Sequence, residues 1–138
     1  ALMGVPAVVS VGAMDMVNFG PWDTVPAQHK NRNLYKHNPT VTLMRTTVEE
    51  NEALGKKLAE KVNQSIGPCT VMLPLKGVSM IDAEGQPFYG PDEDEALFNA
   101  LRSDIDQDRA TLTEIDAHIN DDEFAKAAVD ELIKLMEQ

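Results

Sequence analysis

The feature that most constrains this fold is an alternation of short apolar runs with longer segments of helical periodicity. The runs cover residues 6–11 (PAVVSV), 40–44 (TVTLM), 69–73 (CTVML) and 111–115 (TLTEI). Short runs rich in apolar and β-branched residues predict buried strands. Strands that alternate with helices predict parallel βαβ units with right-handed crossovers. We therefore expect an α/β fold with a mainly parallel sheet of about four strands, covered on both faces by helices.

Helix start signals follow three of these runs or the loops behind them. Thr47 and Glu50 match a capping box, which begins a helix expected to extend to about residue 65. Asp92 opens a second helix, and residues 120–122 open a third. Each of the three segments has an apolar stripe that can pack on the sheet.

Two long segments are expected to be loops. Residues 12–39 show no clear periodicity and contain Gly20-Pro21 and Asn38-Pro39, and residues 74–91 are similarly polar. Loops longer than about 12–15 residues within a compact domain are usually functional or disordered. The aromatic residues of the first segment favour an ordered loop.

Length and composition indicate one ordinary globular domain spanning residues 1–138, of which 43% are apolar and 25% charged. No apolar run approaches the roughly 18–20 residues that a membrane helix needs, so we expect no membrane partner. The single cysteine, Cys69, excludes an internal disulfide and a zinc site built from cysteines. A cytoplasmic location is the expectation that fits these features best.

The net charge of −11 is unevenly distributed along the chain. Residues 92–138 contain fifteen acids and four bases, whereas residues 24–48 contain four bases and no acid. Nucleic-acid binding needs an extended basic face, so the acidic third argues against such a partner. The short basic segment suits one small anion.

Ligands of open parallel sheets bind beyond the carboxyl ends of the strands, so the residues that follow each strand are the first candidates. Arg45, Thr46 and Thr47 lie between a strand and a helix N-terminus. Unpaired N–H groups and a partial positive charge at that terminus, beside a guanidinium and two hydroxyls, predict a phosphate or carboxylate site. The alternative is that Thr47 only caps the helix and Arg45 pairs with a surface acid.

His118 and His37 are the candidate general bases, with Asp15, Asp82 or Asp116 as an orienting carboxylate. The alternative is that both histidines only bond loop backbone. No HExxH spacing occurs, and we assign no metal ligand. The glycines form neither GxGxxG nor a phosphate-binding loop, and Ser79 lacks the GxSxG context of a serine nucleophile.

Four strings together resemble one family. They are GAMDMVNFGPWDTVP (12–26), HNPTVTLMRTTVEEN (37–51), LPLKGVSMIDAEGQPFYGPDED (73–94) and HINDDEFAKAAV (118–129). In this order they are similar to signatures of the Tm-one-like ATP-binding protein family, the uncharacterised family that includes the tomato mosaic virus resistance protein. The resemblance covers nearly the whole chain. Departures such as Lys76 and Trp22 fall at positions that are not diagnostic.

The resemblance implies a protein of two Rossmann-like domains, of which this chain resembles the C-terminal part. Its N-terminal domain would be a partner. The cofactor is unknown, and ATP, which the family name mentions, would be bound through that N-terminal part. No reaction is implied. The family strings add further positions to the ligand-binding candidates: Asn18, Asn38, Gly77, Ser79 and Asn120.

Three hypotheses of function follow. The first is a ligand-binding domain that contributes an anion-binding wall, built on Arg45, Thr46 and Thr47, to an interdomain site. The second is an enzyme acting on a small acid or its ester by His/Asp acid–base chemistry. The third is an oligomerisation scaffold, and a homo-oligomer is expected. The first two require Asp15, Arg45, Ser79 and His118 to converge at one edge of the sheet.

Overall fold

The computed structural model describes residues 2–137, which form six strands and three α-helices. The strands are β1 (Ala7–Ser10), β2 (Met16–Phe19), β3 (Leu34–Asn38), β4 (Val41–Arg45), β5 (Cys69–Pro74) and β6 (Thr111–Ile115). The helices are α1 (Val48–Val62), α2 (Pro91–Asp104) and α3 (Asp122–Met136). The predicted α/β class is confirmed, and every predicted helix and strand segment is present within a few residues of its expected bounds.

A parallel sheet with the order β1-β5-β6 forms the centre of the fold. Val71 and Leu73 of β5 pack into one apolar cluster with residues of α1 and α2, while Met72 packs with Phe124 of α3 on the other side. This alternation follows from the two-residue period of a strand, and it produces three layers with α1 and α2 on one face and α3 on the other. The arrangement is Rossmann-like, as expected.

The parallel sheet has three strands rather than the predicted four or so. The run at residues 40–44 became β4, which is the centre of a second, antiparallel sheet of order β2-β4-β3. From Thr42 to Arg45 every residue of β4 is buried. Continuous burial is typical of parallel strands, which explains the wrong assignment, but a central antiparallel strand covered on both faces has the same pattern.

The predicted loop over residues 12–39 is also corrected. It contains β2, β3 and two short 3₁₀ turns at Trp22–Thr24 and Ala27–His29. The two strands are short and partly exposed, so they lack the apolar run that identifies a buried strand. β3 turns into β4 through Pro39-Thr40, where the side-chain Oδ1 of Asn38 accepts a hydrogen bond from the Thr40 N–H.

The predicted loop over residues 74–91 is confirmed. Its strand-like pairing within residues 2–137 is limited to an isolated β-bridge between Ser79 and Asp82. Backbone hydrogen bonds hold this loop. The Leu75 N–H donates to the Ile115 carbonyl oxygen of β6, and the Phe88 N–H donates to the Ile81 carbonyl oxygen within the loop. Between residues 2 and 137, no helix combines the length and the apolar character needed to cross a bilayer.

Candidate functional site

Arg45, the last residue of β4, lies inside the protein and ties the loop before α2 to the antiparallel sheet. Its side chain is 5% exposed. Nε donates to the carbonyl oxygen of Phe88 at 2.9 Å, and Nη2 donates to that of Gly90 at 3.1 Å. Nη2 also contacts two carboxylates, Asp94 at 2.7 Å and Asp82 at 3.3 Å. The guanidinium is therefore neutralised within the fold rather than by a surface acid.

Asp94 and Asp82 share this guanidinium, and their protonation is perturbed. Burial raises the pKa of Asp94 to about 7, with a further increase from its hydrogen bond to Asp82, against the opposing effect of Arg45. The Asp82 carboxylate also accepts from the backbone N–H groups of Val78, at 2.9 Å, and Gly90, at 3.3 Å. The two acids and one base form a buried network in which two full negative charges are unfavourable.

Asp15 follows β1 and is fully buried. Its Oδ2 accepts a hydrogen bond of 2.6 Å from the Ser79 hydroxyl, while its Oδ1 has no partner among residues 2–137. Burial raises the pKa of Asp15, partly offset by the Ser79 bond and by the charge of Arg45. A buried carboxylate oxygen without a donor is costly, so this position is not explained by stability alone.

His118 holds the loop of Ser79 and Asp82 in place. Its Nδ1 accepts from the N–H of Asn120 at 3.1 Å, which places the ring proton on Nε2. Nε2 then donates to the carbonyl oxygens of Ser79, at 2.9 Å, and Asp82, at 3.2 Å. Both ring nitrogens are engaged by backbone, so acid–base chemistry at His118 would require one of these bonds to break.

Gly77 allows this close approach. Its φ of +130° lies in the region that favours glycine, and a Cβ there would lie 1.9 Å from the Asp82 carbonyl oxygen and 2.7 Å from the His118 ring. Gly77 therefore has a packing role that requires glycine, whatever it does toward a ligand.

Thr46 and Thr47 connect the network to α1. The Thr46 hydroxyl donates to Met14 O at 2.9 Å and accepts from Asn51 Nδ2 at 2.8 Å. Thr47 is the N-cap of α1, and the predicted capping box with Glu50 is present in both directions. Asn51 is fully buried, and its Oδ1 has no partner among the described residues.

A cleft of about 390 Å³ opens at the N-terminus of α1, and we call it the α1 cleft. Its lining comes from three parts of the chain: Asn31, Arg32 and Asn33; Arg45, Thr46, Thr47, Val48 and Glu49; and Glu93. Arg32 is bound to Glu50 at 2.6 Å, which lowers the pKa of Glu50, and donates to Arg45 O at 2.9 Å. Arg45 also belongs to this lining, and its buried Nη1 has no hydrogen-bond partner within residues 2–137.

A larger cleft of about 520 Å³ lies between the 74–91 loop and α2, with Asp94 in its lining. Its two basic residues already have acidic partners, since Lys76 pairs with Asp116 and Arg102 pairs with Glu95 and Glu114. It contains no buried donor without an acceptor in the described chain. The α1 cleft is therefore the stronger candidate for a ligand site.

The expected convergence of Asp15, Arg45, Ser79 and His118 is present, but for a different reason. Ser79 links Asp15 to His118, and Asp82 links His118 to Arg45. β4 is antiparallel and belongs to the other sheet, so the carboxyl-end rule does not account for Arg45. The pairing of β4 with β2, whose first residue follows Asp15, brings Arg45 to this edge.

The side chains of the remaining candidates lie outside this hydrogen-bonded network, although the backbone N–H of Asn120 bonds to His118. His37 and Asn38 are exposed on β3, with the His37 ring 6.3 Å from that of Tyr35. Asn18 on β2 and Asn120 before α3 are also exposed. Within residues 2–137 no group of three or more His, Cys, Asp or Glu side chains is placed to hold a metal ion.

Comparison with known proteins identifies the family. Residues 1–136 match the model of the C-terminal domain of an uncharacterised protein family, UPF0261. A UPF0261 protein of Clostridium tetani is 55% identical over 136 residues, which are 99% of this chain and 34% of that protein. The tomato ToMV resistance protein Tm-1(GCR237) is 43% identical over 132 residues, 95% of this chain and 18% of that protein.

This chain belongs to the UPF0261 family. The resemblance to the Tm-one-like family, drawn from four sequence strings, is thereby confirmed. A UPF0261 protein of Rhizobium meliloti, 49% identical over 90% of this chain, is also matched over only 31% of its length. The chain thus spans about a third of the length of these bacterial relatives.

Asp94 is the part of the site that sequence reasoning missed. It lies in the acidic first turn of α2, beside Asp92 and Glu93. The sequence signal that could have identified Asp94 is its position on the buried face of α2. The i, i+3, i+4, i+7 spacing of that face is occupied by Asp94, Leu97, Phe98 and Leu101. An acid on the buried stripe of a helix indicates a buried partner, here Arg45.

Proposed function

We propose that this domain binds a small ligand bearing a negatively charged group in the α1 cleft. The observation that carries the proposal is Arg45, a residue of the cleft lining that is almost fully buried. Its Nη1 is itself buried and has no acceptor among residues 2–137. A buried charged donor without an acceptor is costly, and a ligand oxygen that reached Nη1 from the cleft would satisfy it.

The N-terminus of α1 supports the same site. Val48 is the first residue of this helix and lines the cleft, so its N–H has no intrahelical acceptor. The helix dipole places partial positive charge at this end, and the Thr47 backbone is the adjacent wall. A volume of about 390 Å³ is in the range of small-molecule sites.

We propose further that the other parts of the longer family members supply the wall that faces this cleft. The matched region is only a third of the bacterial relatives, so most of such a protein lies outside it. The exposed side chains of Asn18, His37, Asn38 and Asn120 would then be available to that wall or to a ligand held against it. The buried network of Arg45, by contrast, would position the cleft from within.

Replacement of Val48 by proline tests the site. Proline is well accepted at the first position of a helix, and Thr47, with φ −82° and ψ 172°, already has the conformation favoured before proline. Val48→Pro should therefore retain the fold and remove one N–H donor. Because a hydrogen bond to a charged group is worth about 1.5–3 kcal/mol, we expect affinity for propionate or phosphate to fall about ten-fold.

Asp122→Pro is the matched control, since it makes the same change at the first position of α3, away from the cleft. Binding is measured by NMR titration of the ¹⁵N-labelled chain, following the amides of residues 46–49. Asp122→Pro should leave the affinities unchanged. The proposal is wrong if propionate, phosphate and small zwitterions all leave these amides unshifted, or if both proline variants bind the same probes equally.

A further inference from the structure

The α1 cleft contains acids as well as bases, and this restricts the class of ligand. Arg32 and Arg45 line it together with Glu49 and Glu93, so the formal charge of the lining is zero. Both arginines already have carboxylate partners, Glu50 for Arg32 and the Asp82/Asp94 pair for Arg45. A ligand with only negative charge would approach acids whose charge is not compensated within the cleft.

Glu93 is the acid that is most available to a ligand. It lies in the first turn of α2 and is half-buried, and no lysine, arginine or histidine nitrogen of residues 2–137 lies within ion-pair distance of its carboxylate. The Glu49 carboxylate is less available to a ligand, because it already has hydrogen bonds to its own backbone and to Thr47, which lower its pKa.

The cationic and anionic groups of the cleft come close together at Gly90. A Cβ at this glycine would lie 2.5 Å from Glu93 Oε2 and 2.6 Å from Arg45 Nη2. The two charged groups therefore close on Gly90 from either side and leave no room for a side chain there, so Glu93 Oε2 and Arg45 Nη2 are at most about 5 Å apart (2.5 Å plus 2.6 Å). A ligand with opposite charges a few bonds apart can contact both.

We propose that the ligand of the α1 cleft is a small zwitterion of the α-amino-acid class. Its carboxylate binds at Arg45 and the N-terminus of α1, and its ammonium group binds the Glu93 carboxylate, with Glu49 at the rim. A zwitterion satisfies the unpaired Arg45 donor and the unpaired acid without adding net charge to the cleft. This inference rests on the proposed function and specifies its ligand class.

Three probes that differ by one charged group test the inference. L-alanine has both groups, propionate lacks the ammonium group, and ethylammonium lacks the carboxylate. They are titrated at pH 7 into the ¹⁵N-labelled chain, with residues 46–49 and 90–94 observed by NMR. L-alanine should bind about ten-fold more tightly than either of the other two, because it gains one more charge-assisted contact.

Glu93→Gln should abolish this preference by weakening L-alanine binding to the level of propionate, without weakening propionate itself. Glu123→Gln, which changes an acid in the first turn of α3, should leave the preference intact. The inference is overturned if propionate or ethylammonium binds as tightly as L-alanine, or if Glu93→Gln leaves the ratio unchanged. If propionate binds and responds to Val48→Pro but L-alanine is not preferred, the inference fails while the proposed function stands. If no probe binds, both fail.

Discussion

The two ends of the parallel sheet differ in where charged side chains are buried. At the carboxyl end the buried residues include Asp15, Arg45, Asp82 and Asp94, beside apolar residues such as Phe88. At the amino end, where the strands begin, the buried residues are mainly apolar and include no charged side chain among residues 2–137; they include Val62, Cys69, Ile105, Ala110 and Leu135. The apolar end gains free energy from burial, whereas the polar end must offset the desolvation of charges.

This difference shows at which end of the sheet the buried residues contribute least to the stability of the fold. Buried ion pairs are often no more stabilising than well-packed apolar residues of similar volume, so they are weak evidence for a stabilising role. At the carboxyl end three polar atoms, Asp15 Oδ1, Arg45 Nη1 and Asn51 Oδ1, also lack partners among residues 2–137. Buried polar atoms without partners are rare in folded proteins, and a functional role is one explanation for them. The comparison therefore supports the carboxyl end as the place where the ligand is bound.

The largest effect is expected at the polar end, from Asp82→Ala. This change removes the carboxylate that accepts from Arg45, Val78 and Gly90 and leaves the guanidinium with Asp94 alone. Each buried donor left without its acceptor costs about 1–3 kcal/mol, so we expect a loss of a few kcal/mol, measured as the free energy of unfolding in urea. Asp116→Ala is the control, because its pair with Lys76 is at the surface and should contribute at most about 1 kcal/mol. Equal losses would mean that the network is no more important than a surface contact.

The second-largest expected effect is a dependence of stability on pH that arises at the carboxyl end of the sheet. The pKa of Asp94 is about 7 in the folded protein, whereas the unfolded chain releases this proton near the ordinary aspartate pKa of 3.8. The folded state therefore binds more protons between these values, and stability falls as the pH rises through that window, with a slope of at most about 1.4 kcal/mol per pH unit. Asp15, whose pKa is also raised, acts in the same direction.

Asp94→Asn isolates this contribution, because asparagine resembles the protonated acid at every pH. The difference in Tm between Asp94→Asn and the unmodified chain should move in favour of the variant from pH 4 to pH 7 and then level off. The comparison is made by thermal unfolding in buffers of equal ionic strength. A difference in Tm that stays constant over this range would contradict a proton held on Asp94.

The smallest effect is expected at the apolar end, from Ile105→Val. Ile105 packs in the core cluster beside α2 and touches no titratable network. Loss of one buried methylene should cost about 0.5–1.5 kcal/mol and leave the dependence of stability on pH unchanged. Chemical unfolding at pH 5 and pH 7 measures both. A loss that changes with pH would show that the two ends of the sheet are coupled.

The elements defined by short-range signals were predictable from the sequence. The apolar runs of β5 and β6 correspond to the predicted strands, and Thr47 with Glu50 located the start of α1 to the residue. These signals lie within a few residues of one another, so they are present in the chain before any tertiary contact forms. Arg45, Ser79 and His118 were also identified as residues that meet, from their positions at the ends of strands.

Tertiary structure decided the partners. The sequence of β4 predicts a buried strand but does not indicate the kind of sheet to which it belongs. Its antiparallel arrangement follows from pairing with the short, partly exposed strands β2 and β3. The local sequence gives Arg45 no acidic partner, yet its ion-pair partners are Asp82 and Asp94, 37 and 49 residues away along the chain. The local sequence pattern indicates which face of a helix or strand is buried, but the choice of a distant partner depends on how these elements pack. The sequence by itself therefore determined where the polar groups lie along the chain, and packing alone decided which charges became neutralised and which buried donor lacks an acceptor among residues 2–137.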